Sequence, residues 1–400
     1  MADKPSARRP KGRAELILTA ATKLFSERGH DAVSLDEIGE AVGITGPAIY
    51  RHFDSKEALL VAVVERALDR YGARYQEVSL HAQTPEEQLR ALADCTIGPT
   101  IDDLGFLSLV MTDVRLLPSA LMRRARLKRD AAMQLWIAPL LALHPGLSKR
   151  EAIFLVEAGT CLSPSLLAYQ PNISRGKVIS TLTAMLVAAY LAPLPATEDD
   201  HTSDDRDLRA WVDRPLRASA RERVLEVAAP LFRERGFSRV GIDDIGAAAG
   251  VTGPAIYRHF RNKQEILLAI LSRVNEQLAV NAGHALGRSR DQFEALDRLI
   301  DGYIDLAFDD SDFMVVYWAQ KQSLSEEVRA TIAVGERSYI GDWNSVLRQL
   351  RPELSEGVAR TMTYAALGMM NTFWYGSVTI PDRRARTLLS SMVRAALLDS

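Results

Sequence analysis

Apolar positions recur three and four apart along almost the whole chain, and no stretch alternates apolar with polar residues as a half-buried strand would. Across Arg13–Arg28 the apolar set is Leu16, Ile17, Ala20, Ala21, Leu24 and Phe25, which predicts one amphipathic helix ending at Gly29. Ser34–Val42 predicts a second, short helix. Ser34 is its candidate N-cap, with Glu37 three residues on as the return half of a capping box. Gly43 predicts a turn. Thr45 is the next candidate N-cap, Pro47 stands near the first helical position, and the helix runs over Ala48–Phe53. Asp54 and Ser55 close it and Lys56 opens a long helix. A supporting helix followed by two short helices around a glycine turn predicts a helix-turn-helix unit.

The same pattern occurs twice. ITGPAIYRHF at 44–53 returns as VTGPAIYRHF at 251–260, an offset of 207 positions (251 − 44). At that offset Phe25 matches Phe232, Gly29 matches Gly236, Gly43 matches Gly250, Trp136 matches Trp343, and Leu191 matches Leu398. A constant offset over nearly the full length predicts two complete copies of one domain. The boundaries we expect are a helix-turn-helix at 1–60 with an associated helical domain at 61–193, then an acidic linker at 194–207. The second helix-turn-helix follows at 208–267 and the second helical domain at 268–400. The linker carries Glu198, Asp199, Asp200, Asp204, Asp205 and Asp207 with no apolar periodicity.

Charge sharpens this picture only locally. The net charge of −2 predicts no polyanion partner for the chain as a whole. Residues 208–263, however, hold eleven Arg or Lys against six Asp or Glu, and Lys4, Arg8, Arg9, Lys11 and Arg13 crowd the start. Cys95 and Cys161 offer no metal spacing or disulfide framework, which points to a reducing cytoplasm. No secretory leader is read at the start, and the most apolar run, Leu182–Leu194, is shorter than the ~20 residues that span a bilayer, so it predicts a buried packing helix. No phosphate loop, GxSxG or HExxH is present, which argues against an enzyme; no cofactor is implied.

The stretches ERG…SLDEIGEAVGITGPAIYRHFDSKEALL and ERG…GIDDIGAAAGVTGPAIYRHFRNKQEILL resemble the N-terminal DNA-binding domain of the TetR family of bacterial regulators. The resemblance implies an all-α fold of two tandem TetR-like domains and a ligand-responsive transcriptional regulator, most simply a repressor. The partners it implies are a double-stranded DNA operator and a small-molecule inducer. It places Thr45, Gly46, Pro47, Ala48, Tyr50, Arg51 and His52 in a DNA major groove, and likewise Thr252, Gly253, Pro254, Ala255, Tyr257, Arg258 and His259. Lys56 and Lys263 fall near backbone phosphates, and Ser34 is the hydroxyl that the family often turns to a phosphate. These helices begin with few base-reading donors; only Arg51 and Arg258 are long, so DNA shape and the aromatic rings carry more of the readout. The basic segment Lys4–Arg13, and Arg209, Arg214, Arg217 and Arg221, are candidate DNA-contacting arms and read equally well as solvated surface charge.

Two departures separate the copies. Ser34 becomes Gly241, which loses the capping hydroxyl, and Lys23 becomes Pro230, inside a helix where proline removes a hydrogen bond. An alternative is therefore that only one helix-turn-helix binds DNA and the other copy senses or supports. The candidate ligand pockets draw on Phe106, Val110, Met111, Trp136 and Ser163 in the first copy. In the second they draw on Tyr303, Phe313, Tyr317, Trp318, Trp343, Met370, Asn371 and Trp374. Each of these residues taken singly also fits ordinary core packing. Together they suggest an apolar ligand such as a lipid, a sterol derivative or an acyl-CoA. Asp113, Arg115, Gln320 and Gln322 are weaker candidates for a polar contact.

Family members dimerise through their last two long helices, which match Lys149–Gln170 and Ser174–Leu191, and Ser355–Ser377 and Pro381–Leu398. An ordinary member presents two such units to a palindrome with half-sites ~34–36 Å apart. This chain already holds two, so we expect an intramolecular pseudo-dimer, with a homodimer of chains as the rival.

Overall fold

The computed structural model describes residues 11–104, 119–167, 169–195, 219–320, 324–371 and 380–400. Described residues are helical or in turns, and no strand occurs among them. The helices are α1 (Lys11–Arg28), α2 (Leu35–Ala41), α3 (Gly46–Ile49), α4 (Lys56–His81), α5 (Pro85–Asp102), α6 (Ser119–Leu143), α7 (Lys149–Thr160) and α8 (Arg175–Leu191). They continue with α9 (Ala220–Arg235), α10 (Ile242–Ala249), α11 (Gly253–Tyr257), α12 (Lys263–Arg288), α13 (Gln292–Asp309), α14 (Ser311–Gln320), α15 (Glu326–Leu350), α16 (Glu356–Met370) and α17 (Asp382–Leu398). They fall into two compact units, residues 1–142 and 143–400.

The first unit holds α1–α5 and nearly all of α6. Its helix-turn-helix closes on Ile17, Ala21, Phe25, Val33, Ile38, Ile49, Leu59, Leu60, Val63 and Val64, all buried. Leu16, expected on the same face, is instead 57% exposed. Gly29 and Gly43 adopt φ of 79° and 69°, conformations that a side chain disfavours. Gly39 is required for a different reason: a Cβ there would stand 2.7 Å from the Ile44 carbonyl oxygen.

The second unit begins with α7 and α8 of the first copy and continues through the whole second copy. Its helix-turn-helix repeats the core position for position with Val224, Ala228, Phe232, Val240, Ile245, Ile256, Ile266, Leu267, Ile270 and Leu271, again all buried. Gly236 and Gly250 repeat the positive φ at 78° and 63°. Pro230 lies within α9 without ending it.

The division between units falls inside the first copy because α7 and α8 pack on α16 and α17 of the second. The last helices of the two copies, α8 and α17, pack on each other, and their buried positions are mainly apolar: Val178, Leu182, Met185 and Leu186 on the first, Leu388, Leu389, Met392 and Val393 on the second. The expected helix Lys149–Gln170 is shorter than its pattern. It stops at Thr160, and a 3-10 turn, Pro164–Leu167, follows. Pro164 has no N–H for the Thr160 carbonyl, so the α-helical ladder cannot continue there. In the second copy, α16 covers Glu356–Met370 of the expected Ser355–Ser377, with Ser355 and Asn371 as its caps; 372–377 lie outside the described residues.

Candidate nucleic-acid interface and effector core

The two recognition helices present the same chemistry. In the first, Ile49 is fully buried and anchors α3 in the core, while Thr45, Pro47, Tyr50 and Arg51 face outward. In the second, Ile256 is the buried anchor, and Thr252, Pro254, Tyr257, Arg258 and His259 face outward. Tyr50 and Tyr257 are each 57% exposed. A phenol ring more than half exposed beside a fully buried isoleucine contributes little to packing. Thr45 and Thr252 sit at the N-cap positions, yet neither hydroxyl makes a capping hydrogen bond. The α3 helix is shorter than expected, ending at Ile49, and Tyr50 to His52 form the turn after it. Ala48, Ala255 and His52 are half-buried beside that surface, with Gly46 buried and Gly253 half-buried at the helix start.

The supports differ between copies. The capping box at Ser34 forms as its spacing requires: the Glu37 N–H donates to the Ser34 hydroxyl at 3.2 Å, and the Ser34 N–H donates to the Glu37 carboxylate at 2.7 Å. The bond from the Ser34 backbone, with Arg28 at 2.7 Å, holds the Glu37 carboxyl down at about 2. In the second copy only the return half remains, the Gly241 N–H donating to Asp244 at 2.8 Å. The lysines diverge further. Lys263 donates to the carbonyls of Phe237 at 2.6 Å, Ser238 at 3.3 Å and Val240 at 2.7 Å, and lies over the Phe237 ring. Three carbonyl acceptors occupy the three donors of its ammonium, so Lys263 buttresses the loop before α10. Lys56 opens α4 half-buried, behind the Ser55 cap. A charge pair that braces each unit recurs in both copies: Arg66 to Glu15 at 2.8 Å, and its counterpart Arg273 to Glu222 at 2.7 Å. Arg221 lies over the Phe260 ring, 5.3 Å from its centre. Of the proposed arms, Lys4, Arg8, Arg9, Arg209, Arg214 and Arg217 lie outside the described residues.

The candidate pocket residues of the second copy converge in part. Trp318 donates its indole N–H to the Tyr303 hydroxyl at 2.9 Å, and that hydroxyl donates to Asn371 at 3.1 Å. Tyr317 donates to Asn275 at 2.7 Å, and Asn275 donates to the Ile332 carbonyl at 2.9 Å. Tyr339 stacks on Tyr303 and meets Trp343 edge-on. Met370 is fully buried. Burial pushes the Tyr303 and Tyr317 phenols well above their ordinary range, so both stay protonated donors. Phe313 is buried elsewhere, under the Arg273 guanidinium and toward the helix-turn-helix.

Asn275, Glu336, Tyr339 and Tyr364 belong to this core and are absent from the residues picked out on sequence. A signal for two of them existed. Asn275 falls in register with buried Leu271, Leu278 and Ala282, and Glu336 in register with Ile332, Ile340 and Trp343. A polar residue on an apolar face is the mark of a specific partner. In the first unit, Trp136 is 1% exposed and packs edge-on against Tyr75. Ser163 is buried in the turn after α7. Phe106, Val110, Met111, Asp113, Arg115, Gln322 and Trp374 lie outside the described residues.

The description "Bacterial regulatory proteins, tetR family" matches residues 17–63 and again 224–270. The chain therefore carries the N-terminal domain of the tetR-family regulators twice. It is 29% identical over 122 residues to the HTH-type transcriptional activator FasR of Mycolicibacterium smegmatis, spanning 30% of this chain and 56% of that protein. It is 34% identical over 90 residues to the HTH-type transcriptional repressor KstR2 of the same organism, spanning 22% and 43%. A TetR-family regulator from Bordetella parapertussis aligns over 45% of this chain and 94% of its own, at 24% identity and a TM-score of 0.41. The chain spans about half the length of the curated relatives it matches. These relatives are transcriptional regulators by name. Among its described residues no helix is long and apolar enough to cross a membrane, and no group of three or more acidic, His or Cys side chains is placed to hold a metal.

Proposed function

We propose that this TetR regulator binds one near-palindromic operator with both of its helix-turn-helix units and is released by an apolar small molecule, such as a lipid, a sterol derivative or an acyl-CoA. The observation that carries the DNA half is the pair of exposed tyrosines, Tyr50 and Tyr257, set identically on helices anchored by buried Ile49 and Ile256. Two nearly identical reading heads on one chain favour two nearly identical half-sites. Of the DNA contacts expected from the family, those of Thr45, Pro47, Tyr50 and Arg51, and of Thr252, Pro254, Tyr257, Arg258 and His259, rest on outward-facing side chains. Lys263 contributes by holding its loop instead of by reaching a phosphate. A repressor is the simplest role, as for KstR2; FasR, an activator by name, marks the other direction.

The ligand half rests on the second copy. Trp318, Tyr303 and Asn371 form one hydrogen-bonded group and Tyr317 with Asn275 a second, buried or half-buried among aromatic rings. Such arrangements fix the orientation of a mostly apolar ligand through a few placed polar groups. The helices α7, α8, α16 and α17 supply within one chain the interface that two chains supply elsewhere in the family, which makes the regulator a pseudo-dimer. Titration of labelled DNA from upstream of the gene, at several salt concentrations, tests the DNA half. Sequence-specific binding lost in Y50A/Y257A while helicity and melting temperature hold supports it; unchanged affinity in that variant overturns it.

A further inference from the structure

We infer that the four-helix interface is built to pair a first copy with a second copy and to refuse the pairing of either copy with itself. This rests on the geometry of the bundle and stands whatever the chain binds.

In a symmetric dimer each contact occurs twice, residue i on j and j on i. Here the counterparts are known from the offset of 207, and the contacts do not repeat. Arg384 bonds Glu151 at 2.5 Å and the Pro195 carbonyl at 2.9 Å, with both charged side chains largely buried. The mirror contact would join their counterparts, Lys177 and Val358, and a valine accepts nothing from an ammonium. Tyr169 stacks on Tyr364 with ring centres 4.5 Å apart and Arg360 over its face. The counterparts of Tyr364 and Arg360 are Glu157 and Ile153, which supply neither ring nor cation.

Two glycines set the steric rule. Gly368 and Cys161 are counterparts, so their contact marks the pseudo-twofold axis. A Cβ on Gly368 would stand 2.5 Å from the Cys161 carbonyl oxygen, a collision with backbone. Two first copies paired in this geometry would place a cysteine on both sides of that contact. Likewise a Cβ on Gly357 would stand 2.6 Å from Ile173, and the first-copy counterpart of Gly357 is Arg150. Two second copies would escape these collisions, but each would bury Arg384 against Val358. An unpaired buried charge is strongly destabilising, whereas the paired one is tolerated. Each like pairing therefore fails for its own reason, one steric and one electrostatic.

The test is a charge swap in the full chain. E151R and R384E should each lower the melting temperature by roughly 5–10 °C, the loss expected when a buried pair keeps one member. The double variant E151R/R384E should recover part of that loss, because the swapped charges still meet across unlike copies while the Ser148 bond to Glu151 and the Arg384 bond to Pro195 stay broken. Light scattering on all four proteins reports the assembly. Recovery supports the inference both in single chains and in chains that have exchanged copies, since both join a first copy to a second. If instead first copies pair together, Glu151 faces Lys177; E151R then sets two cations against each other, and R384E cannot relieve it. A double variant no more stable than the weaker single variant overturns the inference.

Discussion

The recognition units and the bundle descend from the same duplication and differ in how far their two copies have parted. Ten core positions of the helix-turn-helix recur as buried apolar residues in the other copy, and the exposed tyrosines match to the percentage point. In the bundle, Glu151 answers to Val358, Cys161 to Gly368, and Tyr364 to Glu157. The difference follows from what each region must fit. On the proposed function, two units that read matching half-sites are both constrained by the same groove. Two interface halves that meet only each other need to be complementary, not alike.

The comparison breaks most completely at the reading heads. Y50A/Y257A should reduce specific DNA affinity by at least 100-fold, with the melting temperature within a degree or two of the parent, as measured by fluorescence anisotropy and a thermal melt. The single variants sharpen it. If both units read DNA, Y50A and Y257A should cost similar factors; a loss confined to Y50A would show that the second copy, with Gly241 for Ser34 and Lys263 tied to its loop, has left the DNA.

At the bundle, G368A should destabilise the second unit by about 1–3 kcal/mol, because the new methyl meets the Cys161 backbone in a packed interior. The corresponding C161A removes atoms without a collision and should cost less. Chemical denaturation of both variants checks the order.

The legible and illegible parts of the structure divide along the same line. Local signals sufficed for the reading heads. Ser34 with Glu37, Gly29, Gly43 and the repeat at Gly236 and Gly250 each state a backbone requirement in the residue itself. The lattice around Tyr303 was half visible: its aromatics stand out in the sequence, but Asn275 and Glu336 become meaningful only when buried apolar neighbours show which face they share. The bundle contacts were least legible, because Arg384 and Glu151 lie 233 positions apart and nothing local pairs them. The bonds of Lys263 are illegible for a similar reason, since its three carbonyl acceptors lie about 25 positions upstream.

The effector lattice should respond more modestly. W318A or N275A should shift the concentration of an acyl-CoA or sterol inducer needed to release DNA by about tenfold, with operator affinity nearly unchanged. Binding titrations with and without inducer check this, and a change in DNA affinity alone would place these residues in the scaffold.

The smallest expected effect concerns the caps and pH. S34A should cost about 1 kcal/mol, and G241S should return a similar amount or less to the second copy. The Glu37 carboxyl is held down in the folded state at about 2, from an ordinary 4.5. A depressed acid contributes its stability above the unfolded value and loses it as pH falls. The Glu37 contribution should therefore fade between about pH 4.5 and pH 2, and E37Q should flatten that part of the melting-temperature profile.

The mass of the operator complex tests the central claim most directly. Light scattering of the DNA-free protein at micromolar concentration should give a mass near the chain's 44.2 kDa, and the complex with one near-palindromic operator should contain one chain per duplex. A stable free mass near twice that value, or two chains on each minimal operator, would contradict a pseudo-dimer that carries both reading heads itself.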